Sequence, residues 1–171
     1  IRLQAVCLLD DLHGETDAAR AALQELQTDS DVAVRLEACL RGSPKDYDVV
    51  RRVIRDSSAP VPVRVRAIEE LPQDELGRLR NVDRAMLTER AEVEAFEVLE
   101  AILQKLLRSE HEPEFTLLQG AVKRSTDRGR LAAVRLAGQQ TTPHFEWLVG
   151  LLDPRYPISS VGVAQALGAS G

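Results

Sequence analysis

Aromatic residues are scarce in this chain of 171 residues: three Phe, two Tyr and one Trp make up 4% of it. A core large enough for one domain must therefore be filled by Leu, Val and Ala. Cysteine is nearly absent. Cys7 and Cys39 both fall inside apolar helical patterns, where cysteine behaves as a small hydrophobe, so a secreted disulfide framework is excluded. Lysine occurs only at 45, 105 and 123, and the net charge is −5, which argues against a protein built to neutralise phosphates. No run of 18 apolar residues exists, so no membrane span is expected, and no segment reads as a signal peptide. Gly-rich phosphate loops are missing as well. What is abundant is apolar and charged residues, 44% and 29%, a balance that excludes disorder.

Those apolar residues recur in a pattern. The stretches 1-IRLQAV-6, 34-VRLEAC-39, 63-VRVRAI-68, 97-EVLEAI-102, 129-GRLAAV-134 and 158-ISSVGV-163 are variants of one motif. Their starts are separated by 33, 29, 34, 32 and 29 residues, and a period near 30 is the signature of a helical repeat array. A second duplication supports it: 113-PEFTLLQGAV-122 and 143-PHFEWLVGLL-152 share Pro, Phe, Leu, Gly and a final aliphatic residue at an offset of 30. Pro113 and Pro143 suit a first helical turn, and Phe115, Leu118 and Val122, like Phe145, Leu148 and Leu152, are spaced for one stripe. Each period thus contains two helices.

Helical angles explain the motif. Positions three and six share a face and are apolar except at Ser160. Position five is Ala in five copies and Gly162 in the last, small enough to let a neighbouring helix approach. Position two is Arg in four of the six copies, with a stem that covers apolar surface and a head that reaches a carboxylate or carbonyl. The pattern predicts helices over 1–12, 16–28, 31–41, 45–56, 61–71, 74–80, 83–91, 95–108, 113–124, 127–139, 143–152 and 157–167. Thr16, Asp17, Asp46 and Asp127 fit caps or first turns, and Gly14 and Gly42 fit helix ends. One long helix over 83–108 competes with two; the period favours a turn near 91–95.

This arrangement resembles the HEAT repeat family, including its bilin-lyase-like subgroup, along nearly the whole chain. The resemblance implies an all-α, right-handed α–α superhelix of about six two-helix repeats, a single domain over 1–171. Because the chain opens inside one repeat motif and ends just after another, it is expected to be a piece of a longer protein, and its cysteine usage suggests a reduced, cytoplasmic one. It also implies that Asp29, which precedes Val34 and Arg35 as in the family pattern, links successive repeats together with Arg35. Asp56, Asp127 and Asp153 depart from that spacing.

Chemistry is thin. The histidines are His13, His111 and His144, and the one adjacent pair, His111-Glu112, falls short of the convergent ligands of a metal site or of the di-iron HEAT-like hydroxylases. No nucleophile system, metal or cofactor is implied. Motif positions four and eight form a line away from the apolar arc: Gln4, Glu37 with Arg41, Arg66 with Glu70, and Glu100 with Gln104. In HEAT-like solenoids this helix lines the concave surface, so these residues and Trp147, the only Trp, are candidate contacts for a protein or peptide partner. The function expected is a non-enzymatic interaction scaffold. Its rivals are a nucleic-acid-binding module like the HEAT-like alkylpurine DNA glycosylases, with Arg51, Arg52 and Arg55 or Lys123, Arg124, Arg128 and Arg130 as basic faces, and a bilin-lyase-like small-ligand protein. The acidic run Glu89, Glu92, Glu94, Glu97 and Glu100 opposes the nucleic-acid reading.

Overall fold

A computed structural model describes residues 2–13, 16–42, 44–109, 113–140, 144–152 and 160–168. The described chain is all-helical. In order the helices are α1 (Arg2–His13), α2 (Asp17–Leu26), α3 (Val32–Arg41), α4 (Tyr47–Arg55), α5 (Val61–Glu69), α6 (Asn81–Val93), α7 (Phe96–Arg108), α8 (Phe115–Arg124), α9 (Asp127–Gly138), α10 (Phe145–Gly150) and α11 (Ser160–Gly168). None is long and apolar enough to cross a membrane.

Local sequence sets the boundaries. Thr16 caps α2 by accepting from the Ala19 N–H at 3.3 Å, and Asp46 caps α4 from the Asp48 and Val49 N–H groups at 3.0 and 3.3 Å. Asp31 and Thr126 cap α3 and α9 in the same way, and Asp17 and Asp127 occupy first turns as expected. Gly42 ends α3, whereas Gly14 lies outside the described residues. The stretch 83–108 breaks into α6 and α7 at Glu94–Ala95, inside the predicted turn.

The helix predicted over 74–80 does not form. The Asp74 carboxylate instead accepts from the Leu76 and Arg78 N–H groups at 3.0 and 2.8 Å and from Arg78 Nε at 3.0 Å. Gly77 takes φ +78°, and a single antiparallel bridge joins Gln73 to Leu79. A short acidic side chain that satisfies nearby backbone N–H groups competes with helix, and glycine supplies the left-handed residue that closes the turn. The bonds from the Arg78 and Leu76 N–H groups hold the Asp74 carboxyl below its usual range.

The chain forms two compact units, Ile1–Pro72 and Gln73–Gly171. In the first, α3 packs against α1, α2, α4 and α5, and α4 pairs with α5. In the second, α9 packs against α7, α8, α10 and α11, while α6 pairs with α7 and touches α8. Within each unit, therefore, motif-bearing helices lie beside one another, and each one after α1 also pairs with the helix that precedes it.

The motif positions differ in what they bury. Position six is the constant one: Val6, Cys39, Ile68, Ile102, Val134 and Val163 are all 0% exposed. Position five is fully buried at Ala38, Ala67 and Ala133 and buried at Gly162, but Ala101 is half-buried and Ala5 exposed. The close approach expected at this position is explicit at the last copy. A Cβ on Gly162 of α11 would lie 2.2 Å from Leu131 Cδ1 of α9, so position three of one copy presses on position five of the next. Gly129 plays a similar part, since a Cβ there would meet the Glu100 Cα of α7 at 3.3 Å.

Position two is a clamp. Arg35 donates to the Asp29 and Ser30 carbonyls at 2.5 and 3.2 Å, Arg64 to the Ile54 carbonyl at 3.3 Å, and Arg130 to the Val122 carbonyl at 3.0 Å. The Ile54 and Val122 carbonyls lie in the last turn of the preceding helix, where backbone acceptors have no intrahelical partner and a cation complements the dipole, whereas Asp29 and Ser30 belong to the loop that leads into α3. The copy with Val98 in place of Arg is served from elsewhere. Arg124 of α8 donates to the Ala91, Glu92 and Glu94 carbonyls at 3.0, 2.8 and 2.7 Å, closing the end of α6.

Candidate functional site

The line of motif positions four and eight is distributed unequally. In the first unit Glu37 accepts from Arg41 of its own helix and from Arg66 of α5, both at 3.4 Å, and Arg66 also meets Glu70 at 2.8 Å. The four residues thus form one ion network across α3 and α5, already satisfied by its own members. Gln4 is exposed on α1. In the second unit Glu100 turns inward: its carboxylate accepts from the Thr126 hydroxyl, which in turn accepts from the Gly129 N–H at 3.1 Å and caps α9. Gln104 is half-buried on α7.

Asp29 meets two of the position-two arginines by different atoms. Both its carboxylate oxygens accept from Arg2 Nη1, at 3.0 and 2.9 Å, while Arg35 uses the Asp29 main-chain carbonyl. The two predicted basic faces are largely consumed locally. Arg51 pairs with Asp48 at 2.8 Å and Arg130 with Asp127 at 2.8 Å, Arg52 donates to the Asp48 carbonyl at 3.4 Å, and Arg124 closes α6. Of the acidic run, Glu94 is buried against Arg90, and Glu89, Glu92 and Glu97 are exposed.

His111, Glu112, Asp153 and Ser159 lie outside the described residues, as does the His13 side chain. Among the described residues no three His, Cys, Asp or Glu side chains converge as metal ligands. Cys39 is fully buried, and burial, reinforced by Asp46, raises its thiol from 9.0 to about 11, so it is a neutral packing group near pH 7. Cys7 is half-buried.

The feature that stands apart lies at the starts of α8 and α10. Phe115 is the first residue of α8; His144 precedes α10, and Phe145, Glu146 and Trp147 form its first turn. The Phe115 and His144 rings stack at 3.5 Å with planes 12° apart, and the Trp147 ring stands at 89° to Phe115 with centroids 5.1 Å apart. Together the five residues line an open cleft of about 530 Å³. The segment before α10 is tied to the start of α8 by Gln140, whose side-chain amide donates to the Pro113 carbonyl at 2.5 Å. Beside the cleft the outer face of α10 leaves Phe145, Val149 and Leu152 at 47%, 54% and 40% exposure, while Leu148 and Leu151 carry the buried side.

Of the sequence candidates, then, Trp147 joins a formed cleft, Glu37, Arg41, Arg66 and Glu70 join one another, and Glu100 joins a helix cap. Phe115, His144, Phe145 and Glu146 join Trp147 there beyond the residues that motif spacing picks out. The signal for them was present: the Pro-x-Phe duplication at an offset of 30 sets equivalent helix starts in neighbouring repeats, which is how Phe115 comes to meet the residues around Phe145. Compared with protein-family models, curated proteins and solved structures, the chain matches none.

Proposed function

We propose that the chain is a non-enzymatic protein-interaction module, a right-handed HEAT-like stack of about six helical repeats that takes a protein or peptide partner at the α8–α10 cleft. The observation that carries this reading is the placement of the aromatics. In a chain with six of them, Phe115, Phe145 and Trp147 gather on one surface cleft. Large aromatics beside exposed aliphatic surface are the composition of interface hot spots, and Trp is the residue most enriched there. The run Phe145, Val149 and Leu152 extends the apolar surface along α10, as a macromolecular partner requires and a small ligand does not.

The paired network on α3 and α5 plays a smaller part here. Exposed pairs of its kind contribute about 0–1 kcal/mol each and give a rim its register and specificity. A reduced, cytoplasmic setting belongs to the same reading, supported by a buried neutral Cys39 and the absence of a disulfide among the described residues. No cofactor is required.

The reading is tested by immobilising the chain and a Phe145→Asp/Val149→Asp variant, with circular dichroism confirming equal helicity. Both positions are exposed, so the fold should survive. A protein retained by the parent chain and lost by the variant is the expected result. Equal retention by both, or retention of nucleic acid alone, would overturn it.

A further inference from the structure

We infer that the group seated in the α8–α10 cleft is an arginine side chain of the partner. This deepens the interaction reading and rests on it. The argument begins from charge. Of the five lining residues Glu146 alone is acidic, and no Lys or Arg lines the cleft. Glu146 is exposed and, among the described residues, holds no ion pair or hydrogen bond. Glu114, also exposed, stands immediately before Phe115. The starts of α8 and of the short α10 bring positive dipole ends to the same place, but each amounts to at most about half an elementary charge, against two carboxylates. The cleft is therefore an acidic aromatic one, and it selects a cation with an apolar stem.

Ring geometry narrows the cation. Phe115 and Trp147 meet edge to face at 89°, and His144 covers one face of Phe115, so the rings wall a corner rather than form one flat platform. A guanidinium is planar: it lies flat on one ring face and directs its N–H fork outward in its own plane, where Glu146 can accept two bonds. Trp gives the strongest cation–π attraction of the aromatic side chains, within about 6 Å of the ring centroid. An ammonium is a compact, strongly hydrated point charge, less suited to flat stacking. The stacked His144 backs Phe115 at 3.5 Å and holds that wall in place.

Trp147 is the chain's single Trp, so its fluorescence reports this cleft alone. The test titrates the full chain with acetylated, amidated Gly-Arg-Gly, with the same peptide carrying citrulline, which is isosteric and neutral, and with tetramethylammonium. Saturable quenching or a spectral shift is expected with the arginine peptide at millimolar concentration, and about tenfold weaker with citrulline. Glu146→Gln should weaken the arginine peptide about threefold and leave citrulline unchanged. Equal affinity for the two peptides, no saturation with arginine, or tighter binding of tetramethylammonium would overturn the inference. If that happens while protein retention still depends on Phe145 and Val149, the interaction reading survives and only the arginine is lost. If retention itself is insensitive to Phe145 and Val149, the interaction reading falls, whatever the peptides do.

Discussion

Replacing Arg124 tests the clamp most directly. Its guanidinium spans three carbonyls at the end of α6, those of Ala91, Glu92 and Glu94, at 2.7 to 3.0 Å. Arg124→Met keeps most of the stem and removes all three donors. A hydrogen bond from a charged group is worth about 1.5–3 kcal/mol, so three of them set an upper bound near 5–9 kcal/mol. That bound is not reached, because the corner is half-exposed and water replaces part of what is lost. Crediting about 1 kcal/mol per bond, the net value of an ordinary hydrogen bond, gives a loss of about 2–3 kcal/mol. Arg124→Lys keeps the charge beside the helix end but cannot span three acceptors, and should lose about half as much. The assay is urea unfolding followed by Trp147 fluorescence, which reports the unit that contains both residues. A loss below about 0.5 kcal/mol for Arg124→Met, or a lysine variant no better than methionine, would refute the reasoning.

Three further predictions concern the packing. Phe96 holds φ +48° and is 64% exposed, so Phe96→Gly should raise stability by about 1 kcal/mol in the same urea assay, by relieving strain at little cost in burial. Ala67→Leu overpacks a fully buried position five and should cost about 1–3 kcal/mol, with Ala5→Leu, at the exposed copy, close to neutral; circular dichroism melts compare the two. The Cys39 thiol, raised from 9.0 to about 11, should react with an aromatic disulfide at pH 8 far more slowly than Cys7. The same shift makes the folded state retain a proton that the unfolded chain releases. Its stabilisation is whole below pH 9 and is lost as pH rises toward 11, at up to about 1.4 kcal/mol per pH unit, a slope that Cys39→Ala should abolish in urea unfolding.

How far the helices could be read from the sequence depended on whether local and tertiary signals agreed. Where a cap, an apolar stripe and the motif coincide, as at Asp31 with 34-VRLEAC-39, the boundary falls within a residue of expectation. At 74–80, where the pattern predicts a helix, the Asp74 side chain offers the backbone a competing partner and Gly77 closes the turn. Leu76 is 71% exposed, so burial had nothing to add in favour of a helix there. The partner-facing line was harder to judge. Helical angles place Glu37 and Arg66 away from the apolar arc of their own helices, yet only the packing of α3 against α5 brings them together, and only that of α7 against α9 turns Glu100 to Thr126. Intrahelical angles carry no information about what a neighbouring helix supplies.

The recurring and the singular residues consequently have different meanings. Arg recurs at position two, and at Arg64 and Arg130 it meets the need of the preceding helix, whose last carbonyls lack partners, while Arg35 reaches the loop before its own helix and Arg2 the Asp29 carboxylate. Where Val98 interrupts the series, the need persists and Arg124 answers it from another helix, which shows that the requirement belongs to the helix end and not to the motif position. A residue explained by such a requirement is spoken for, and its charge says little about partners. Trp147 answers no requirement of this kind, whereas Glu146 lies in the first turn of α10, where a carboxylate complements the helix dipole. The equivalent positions in the duplicated stretch are Leu117 and Thr116, and Leu117 is buried where Trp147 remains half-exposed. The departure from the repeat, rather than the repeat, is thus where recognition should be sought: substituting Trp147→Leu restores the repeat's own residue and should leave the helices intact by circular dichroism while abolishing retention of the partner.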